Sequence, residues 1–164
     1  LCIADDHRCI ALNVTGCCSV DDDPATADGY VAALGAAAGG LGGREVLLLG
    51  LGPVGRAAAR RLIAKGASVL VVEPDEERVV AAQEVGLEVK AVELAAGLSR
   101  CSLVLDASPA AAIIDTDDLL PGTIAAVPGL PSAFTPAAQA ALGARHIHEP
   151  LAIGVAVMAV RAVL

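Results

Sequence analysis

The chain has 164 residues, enough for one domain with a real core. Its net charge of −8 argues against nucleic acid as the main partner, because phosphate binding needs a basic surface. Hydrophobic residues make up 55% but aromatics only 1%, so the core has to be built from Ala, Val, Leu and Ile, which suits helices packed closely on a sheet.

In chain order, "LCIA" and "CIALNV" read as two short strands with "DDHR" between them. Residues 1–23 are expected to be a connecting hairpin or the remnant of an N-terminal domain, since "LCIA" reads as a strand already in progress. Residues 24–164 are expected to be a dinucleotide-binding domain with its preceding helix. The aspartates of "DDDPATADGY" and the fixed φ of Pro24 favour a helix start, and Gly39-Gly40 stops that helix. "EVLLLG" is a continuous apolar strand, as in a sheet covered on both faces. "PVGRAAARRLIAKG" is a helix with Val54, Ala58 and Leu62 on one face and Arg56 and Arg60 on another. "SVLVVEP" is a second strand, "DEERVVAAQEVG" a helix and "LEVKAV" a third strand. "CSLVLDAS" is a fourth strand, "DTDDLL" at most a short helix and "TIAAVPG" a fifth strand. Thr135-Pro136 caps and opens a helix, "RHIHE" is a sixth strand, and "LAIGVAVMAVRAVL" is the closing helix. Strands alternating with helices from residue 44 onward define an α/β class: a Rossmann-type, doubly wound, largely parallel sheet.

The five cysteines, Cys2, Cys9, Cys17, Cys18 and Cys101, are odd in number and show no C-x-x-C. Free thiols in a reducing cytoplasm fit this better than a disulfide framework or a zinc site. The longest apolar run, Leu151–Val160, is too short to span a bilayer, and no signal peptide is visible.

"GLGPVG" places Gly50, Gly52 and Gly55 in the G-x-G-x-x-G spacing between a strand and a helix, the context that gives this motif meaning. Gly50 allows the tight turn, Gly52 admits a pyrophosphate to the backbone, and Gly55 lets the helix pack on the strand. With Leu51, Pro53 and Val54 these residues form the expected cofactor loop at a helix N-terminus. Glu73 ends the second strand, where a carboxylate accepts from ribose hydroxyls and repels a 2′-phosphate, so NAD is expected rather than NADP. The loops "DASPA" (Ala107, Ser108, Pro109) and "VPGLPS" (Pro128, Gly129) also fall at C-terminal strand ends, where such sheets bind ligands.

His146 and His148 alternate, and with Glu149 or His7 they could ligate a metal; ordinary strand residues are the simpler reading, and no metal is expected. Asp5 and Asp6 fit a solvated turn. Glu149 precedes Pro150, where an acid favours a helix dipole, yet it also stands at the ligand-binding edge of the sheet.

The combination of "IADD", "DDDPAT..GY", "VLLLGLGPVG", "DASP", "VPGLPSA" and "HEPLAIGVAVM" resembles the pyrrolysine synthase family along the whole chain. "EPLAIG" and "PGLPSA" are its specific parts. The resemblance implies a further N-terminal region and an NAD-dependent oxidation of the terminal amine carbon of 3-methyl-D-ornithyl-N6-L-lysine, followed by ring closure. It maps substrate contacts onto Asp5 and Glu149, with Glu149 the catalytic candidate, and NAD contacts onto Gly50, Gly52, Gly55 and Glu73. The implied partner is thus a small amino-acid amide, with neither nucleic acid nor membrane; the alanine-rich helices also leave room for a homodimer. Two other readings stay open: a dehydrogenase of the methylene-tetrahydrofolate type, and a non-catalytic NAD-sensing domain.

Overall fold

The computed structural model describes residues 2–4, 9–13, 18–149 and 152–163. Strands β1 (Cys2–Ala4), β2 (Cys9–Asn13) and β3 (Cys18–Asp21) form an antiparallel sheet in that order. The third strand departs from the two expected: "CSVD" is too short and too polar at its ends to show an alternating pattern. Helix α1 (Asp22–Ala38) follows, with Asp22 and Asp23 in its first turn, where they complement the positive end of the dipole. It ends at Gly39, whose φ of 70° lets its N–H turn back onto the last carbonyls.

The main sheet then runs β4 (Glu45–Leu49), α2 (Pro53–Ala64), β5 (Ser68–Val72), α3 (Glu76–Glu84), β6 (Val89–Ala91), α4 (Leu94–Leu98), β7 (Leu103–Asp106), β8 (Ile124–Ala126), α5 (Pro136–Leu142) and β9 (His146–Ile147). Its order is β6-β5-β4-β7-β8-β9, and every neighbouring pair is parallel. The chain winds outward from β4 in one direction, returns, and winds outward in the other. That is the doubly wound arrangement expected from the alternation, and it makes the gap between β4 and β7 the switch point.

Each sheet face has its own core because side chains alternate along a strand. Val46, Leu48, Val69, Val71, Leu103 and Leu105 pack with α1, α2 and α3 through Leu34, Leu62 and Val79. Leu47, Leu49, Leu70, Val104 and Val127 pack on the other face with Phe134, Leu98 of α4 and Leu142 of α5. Helix α4 was not expected from the sequence. Five residues give no periodicity to read, and Gly97 matters there for space: a Cβ on it would come within 2.4 Å of the Leu47 side chain.

Helix α6 (Ala152–Val163) lies on α1, away from the main sheet. Gly154 of α6 lies against the Thr26 side chain of α1, for a Cβ on it would meet Thr26 Oγ1 at 2.5 Å. Met158 and Ala162 of α6 share a small core with Ala11, Val20 and Ala25, which fastens the three-stranded sheet to the helices. Strand β9 keeps only two residues of the expected Arg145–Glu149: Gly143–Arg145 is a 3₁₀ turn, and beyond Ile147 the ladder stops. No helix among the described residues is long and apolar enough to cross a membrane.

Candidate functional site

The loop after β4 is shaped by its glycines. Gly50 has φ +85°, a conformation that L side chains rarely adopt, and a Cβ on it would press against the Ala107 carbonyl at 3.0 Å. A Cβ on Gly55 would lie 2.1 Å from the Gly50 carbonyl oxygen, so α2 can start this close to its strand only with glycine there. Gly52 differs: a Cβ on it would meet nothing within 4 Å. The space at Gly52 is open, as a site where a pyrophosphate rests on backbone requires. Pro53 is exposed at the first position of α2, Val54 is half-buried behind it, and Leu51 is fully buried.

Glu73 reaches this loop from the end of β5. Its Oε2 accepts the Leu51 N–H at 2.7 Å and its Oε1 the Asp75 N–H at 3.1 Å. The side chain is only 6% exposed, with the Arg78 guanidinium 3.9 Å from Oε2. A carboxylate has about four acceptor sites, so two remain for further donors. Glu73 and Arg78 border a cleft of 340 Å³ beyond the C-terminal ends of β4, β5 and β7. Of the expected cofactor residues, Gly50, Gly52, Glu73, Ala107, Ser108 and Pro109 line it. Leu49, Val72, Pro74, Arg78, Ala110 and Ile113 complete the wall. The walls are mostly apolar with one carboxylate and one guanidinium, a composition suited to an adenosine. A larger hollow of 660 Å³ adjoins it over β5 and β6, sharing Val72, Glu73 and Pro74 but no glycine-loop residue.

Pro128 and Gly129 do not line the cleft; they lie beside it. Gly129 donates to the Asp106 carbonyl at 2.8 Å, and a Cβ on it would meet the Ser108 carbonyl at 2.4 Å. The two loops are locked together by the fully buried Asp106 side chain. Its Oδ1 accepts the Ser108 N–H at 3.1 Å and hydroxyl at 2.7 Å, and its Oδ2 accepts the Ala133 N–H at 2.8 Å. Burial pushes its pKa above the ordinary carboxylate range, against these bonds and the nearby His148.

On the far side, the Glu149 N–H donates to the Tyr30 hydroxyl at 3.1 Å, tying the end of β9 to α1. Tyr30 is buried, and that burial raises its pKa, with the Glu149 charge adding to the rise. The Glu149 side chain itself is exposed and outside the cleft lining. Asp5 and His7 lie outside the described residues. His148 donates through Nδ1 to the Val127 carbonyl at 2.7 Å, since a carbonyl can only accept. The His146 ring meets Phe134 edge-on with centroids 5.9 Å apart, and its Nε2 is buried without a hydrogen-bond partner. Burial, and then the neighbouring His148, hold its pKa below 6.5.

Sequence reasoning gave no role to Arg78, Ile113 or Tyr30. Tyr30 stood only as the last residue of the "DDDPAT..GY" motif, and Arg78 falls in the first turn of the helix that follows the acidic strand end, so it returns over the same edge. Arg56, expected on the polar face of α2 with Arg60, is half-buried and donates from Nη1 to the Leu51 carbonyl at 2.9 Å, whereas Arg60 is exposed.

Sheet order, glycine turn and acidic strand end together define a doubly wound fold of Rossmann type. The family model for the TrkA-N domain matches residues 46–114. Among solved structures, a dipicolinate synthase subunit from Bacillus halodurans is similar at 20% identity and a TM-score of 0.61, over 87% of this chain and 55% of that one. D-lactate dehydrogenase from Escherichia coli is similar at 19% identity and a TM-score of 0.61, over 76% of this chain and 48% of that one. The PH0520 protein from Pyrococcus horikoshii OT3 is similar at 20% identity and a TM-score of 0.64, over 77% of this chain and 47% of that one. At such identities the likeness is one of fold, and the chain spans about half the length of these proteins. Among curated proteins none matches this chain.

Proposed function

We propose that this chain is the cofactor-binding part of an NAD-dependent dehydrogenase of the pyrrolysine synthase kind. It oxidises the terminal amine carbon of 3-methyl-D-ornithyl-N6-L-lysine. The observation that carries the cofactor half is the convergence of the open Gly52 backbone and the pinned Glu73 carboxylate on one cleft. The Gly52 backbone and the start of α2 at Pro53, Val54 and Gly55 hold the pyrophosphate, Gly50 and Leu51 shape the turn that presents it, and Glu73 takes the ribose hydroxyls. Ala107, Ser108 and Pro109 flank the dinucleotide, with Pro128 and Gly129 supporting them from behind. Bound NAD would supply the hydride acceptor.

The substrate half rests on the resemblance in "HEPLAIG" together with the position of Glu149. With adenosine in the cleft beside β5, the nicotinamide end extends toward β7, β8 and β9. Three strand spacings, about 14 Å, separate β4 from the end of β9. Tyr30 fixes the Glu149 backbone there, and the exposed carboxylate is free to orient a substrate ammonium by charge-assisted hydrogen bonding. Hydride leaves most easily from a carbon bearing a neutral amine, so the same carboxylate serves as acceptor of the amine proton. The carbon is then an imine, which the ornithine α-amine attacks to close the ring with loss of ammonia. Asp5 is the second substrate carboxylate on the strength of its motif.

NADH formation on adding the lysine–methylornithine amide to full-length protein, with L-lysine as control, tests the reading. NADH formed equally with lysine, or not formed from the amide, rejects it. Glu149→Gln with near-normal turnover and substrate affinity rejects the role given to Glu149.

A further inference from the structure

We infer that Arg56 is a positioning residue for the phosphate-binding loop: it aims the Gly52 N–H into the cleft by holding the Leu51 carbonyl. The inference rests on the dinucleotide reading above and adds to it a residue that the glycine pattern does not contain.

The geometry runs through a single buried residue. Leu51 donates its N–H to Glu73 Oε2 at 2.7 Å and receives Arg56 Nη1 on its carbonyl at 2.9 Å. Both backbone groups of Leu51 are therefore held by charged side chains, an anion on one side and a cation on the other. In a trans peptide the carbonyl and the following N–H point in opposite directions. Turning the Leu51 carbonyl toward Arg56 therefore turns the Gly52 N–H away from it. Gly52 lines the cleft, and the space beside its Cα is open. The backbone around this peptide is also tied: Gly50 donates to the Val72 carbonyl at 2.9 Å, and the Arg56 N–H itself closes the first turn on the Gly52 carbonyl at 2.9 Å. The Leu51–Gly52 peptide is the part of the loop whose direction no sheet or helix bond sets from the carbonyl side, and Arg56 sets it. Guanidinium has five N–H donors in a fixed fork, so one can serve Leu51 while the positive charge stays near the phosphate position.

The consequence is a selective one. A loop aimed by Arg56 matters to ligands that carry phosphate and not to a nucleoside, whose ribose meets Glu73. Titrating adenosine, ADP and NADH into the full chain and into Arg56→Gln separates the two. ADP and NADH are expected to weaken about tenfold or more, the size of one charge-assisted hydrogen bond, while adenosine binds as before. ADP binding undiminished in the variant overturns the inference, and so does an equal loss for adenosine and ADP, which marks a general loosening of the domain. Should Arg56→Gln fail to fold, Arg56→Lys carries the same comparison, with a smaller fall in ADP relative to adenosine. Wild-type protein that binds none of the three rejects the dinucleotide reading itself, and the inference with it; wild type and variant that bind ADP alike reject the inference alone.

Discussion

Glu73→Gln is the substitution that asks most of the site. The carboxylate is nearly buried and already accepts two backbone N–H groups, from Leu51 and Asp75. The two acceptor positions left match the two vicinal hydroxyls of a ribose. Glutamine has the same shape but one oxygen, with two acceptor positions, and an NH2 that can only donate. If its oxygen stays on Leu51, the NH2 faces the Asp75 N–H and the ribose loses an acceptor. If the amide flips, the Leu51 N–H, on a fully buried residue, is left against another donor. An unsatisfied buried donor costs about 1–3 kcal/mol. For a chain of this size each kcal/mol shifts the melting temperature by about 2–4 °C. Thermal denaturation should therefore show a loss of a few degrees, and titration a fall in NADH affinity of about tenfold or more. A carboxylate here should repel a 2′-phosphate, so the wild type is expected to bind NADH over NADPH and the variant to discriminate less. A Glu73→Gln protein that melts with the wild type and binds NADH undiminished refutes the reasoning. So does wild-type protein that prefers NADPH.

The glycines separate binding from folding. Gly52→Ala should melt like the wild type but lose ADP in titration, because its Cβ enters only the open cleft, whereas Gly55→Ala should lose stability first, its Cβ lying 2.1 Å from the Gly50 carbonyl. Equal melting losses in both would contradict this. Asp106 has a folded pKa raised mainly by burial, so the native state takes its proton more readily than the unfolded chain. Its contribution to stability is fullest below the unfolded pKa, about 3.9, and declines as pH rises through the folded value. Asp106→Asn cannot ionise, so wild-type stability relative to this variant should fall with rising pH in urea melts; a rise would refute the assignment. His146 is the opposite case. Its folded pKa is lowered, so the unfolded chain protonates first and stability is lost as pH falls below about 6.5. His146→Phe, which keeps a ring against Phe134, should hold its stability better than the wild type on acidification from about pH 8 to pH 5. Parallel losses in the two would count against a buried neutral imidazole.

The features legible in the sequence are those for which residue type and spacing are themselves the physical requirement. A turn at φ +85° and a helix start where a Cβ would fall 2.1 Å from a carbonyl oxygen admit only glycine, so Gly50 and Gly55 announce themselves. Apolar runs such as Glu45–Leu49 and Ser68–Val72 announce buried parallel strands for the same reason. What stayed hidden is a set of side chains closing on backbone groups far along the chain: Glu73 on Leu51 across 22 residues, Asp106 on Ala133 across 27, and Tyr30 on the Glu149 N–H across 119. Every residue but proline offers an N–H, so nothing in the partner's identity marks such a bond. Arg56 was hidden differently: helical periodicity gives the direction of a side chain's root, whereas a long guanidinium can double back onto the turn before it. The same distinction bears on Glu149. Its backbone is held by a bond no pattern encodes, while its carboxylate is exposed and bound to a role only by the motif around it. The proposed cofactor and substrate roles therefore stand on different physical footings. Glu73 and the glycine loop are held by contacts already made, whereas the Glu149 side chain is exposed and only its backbone N–H is held.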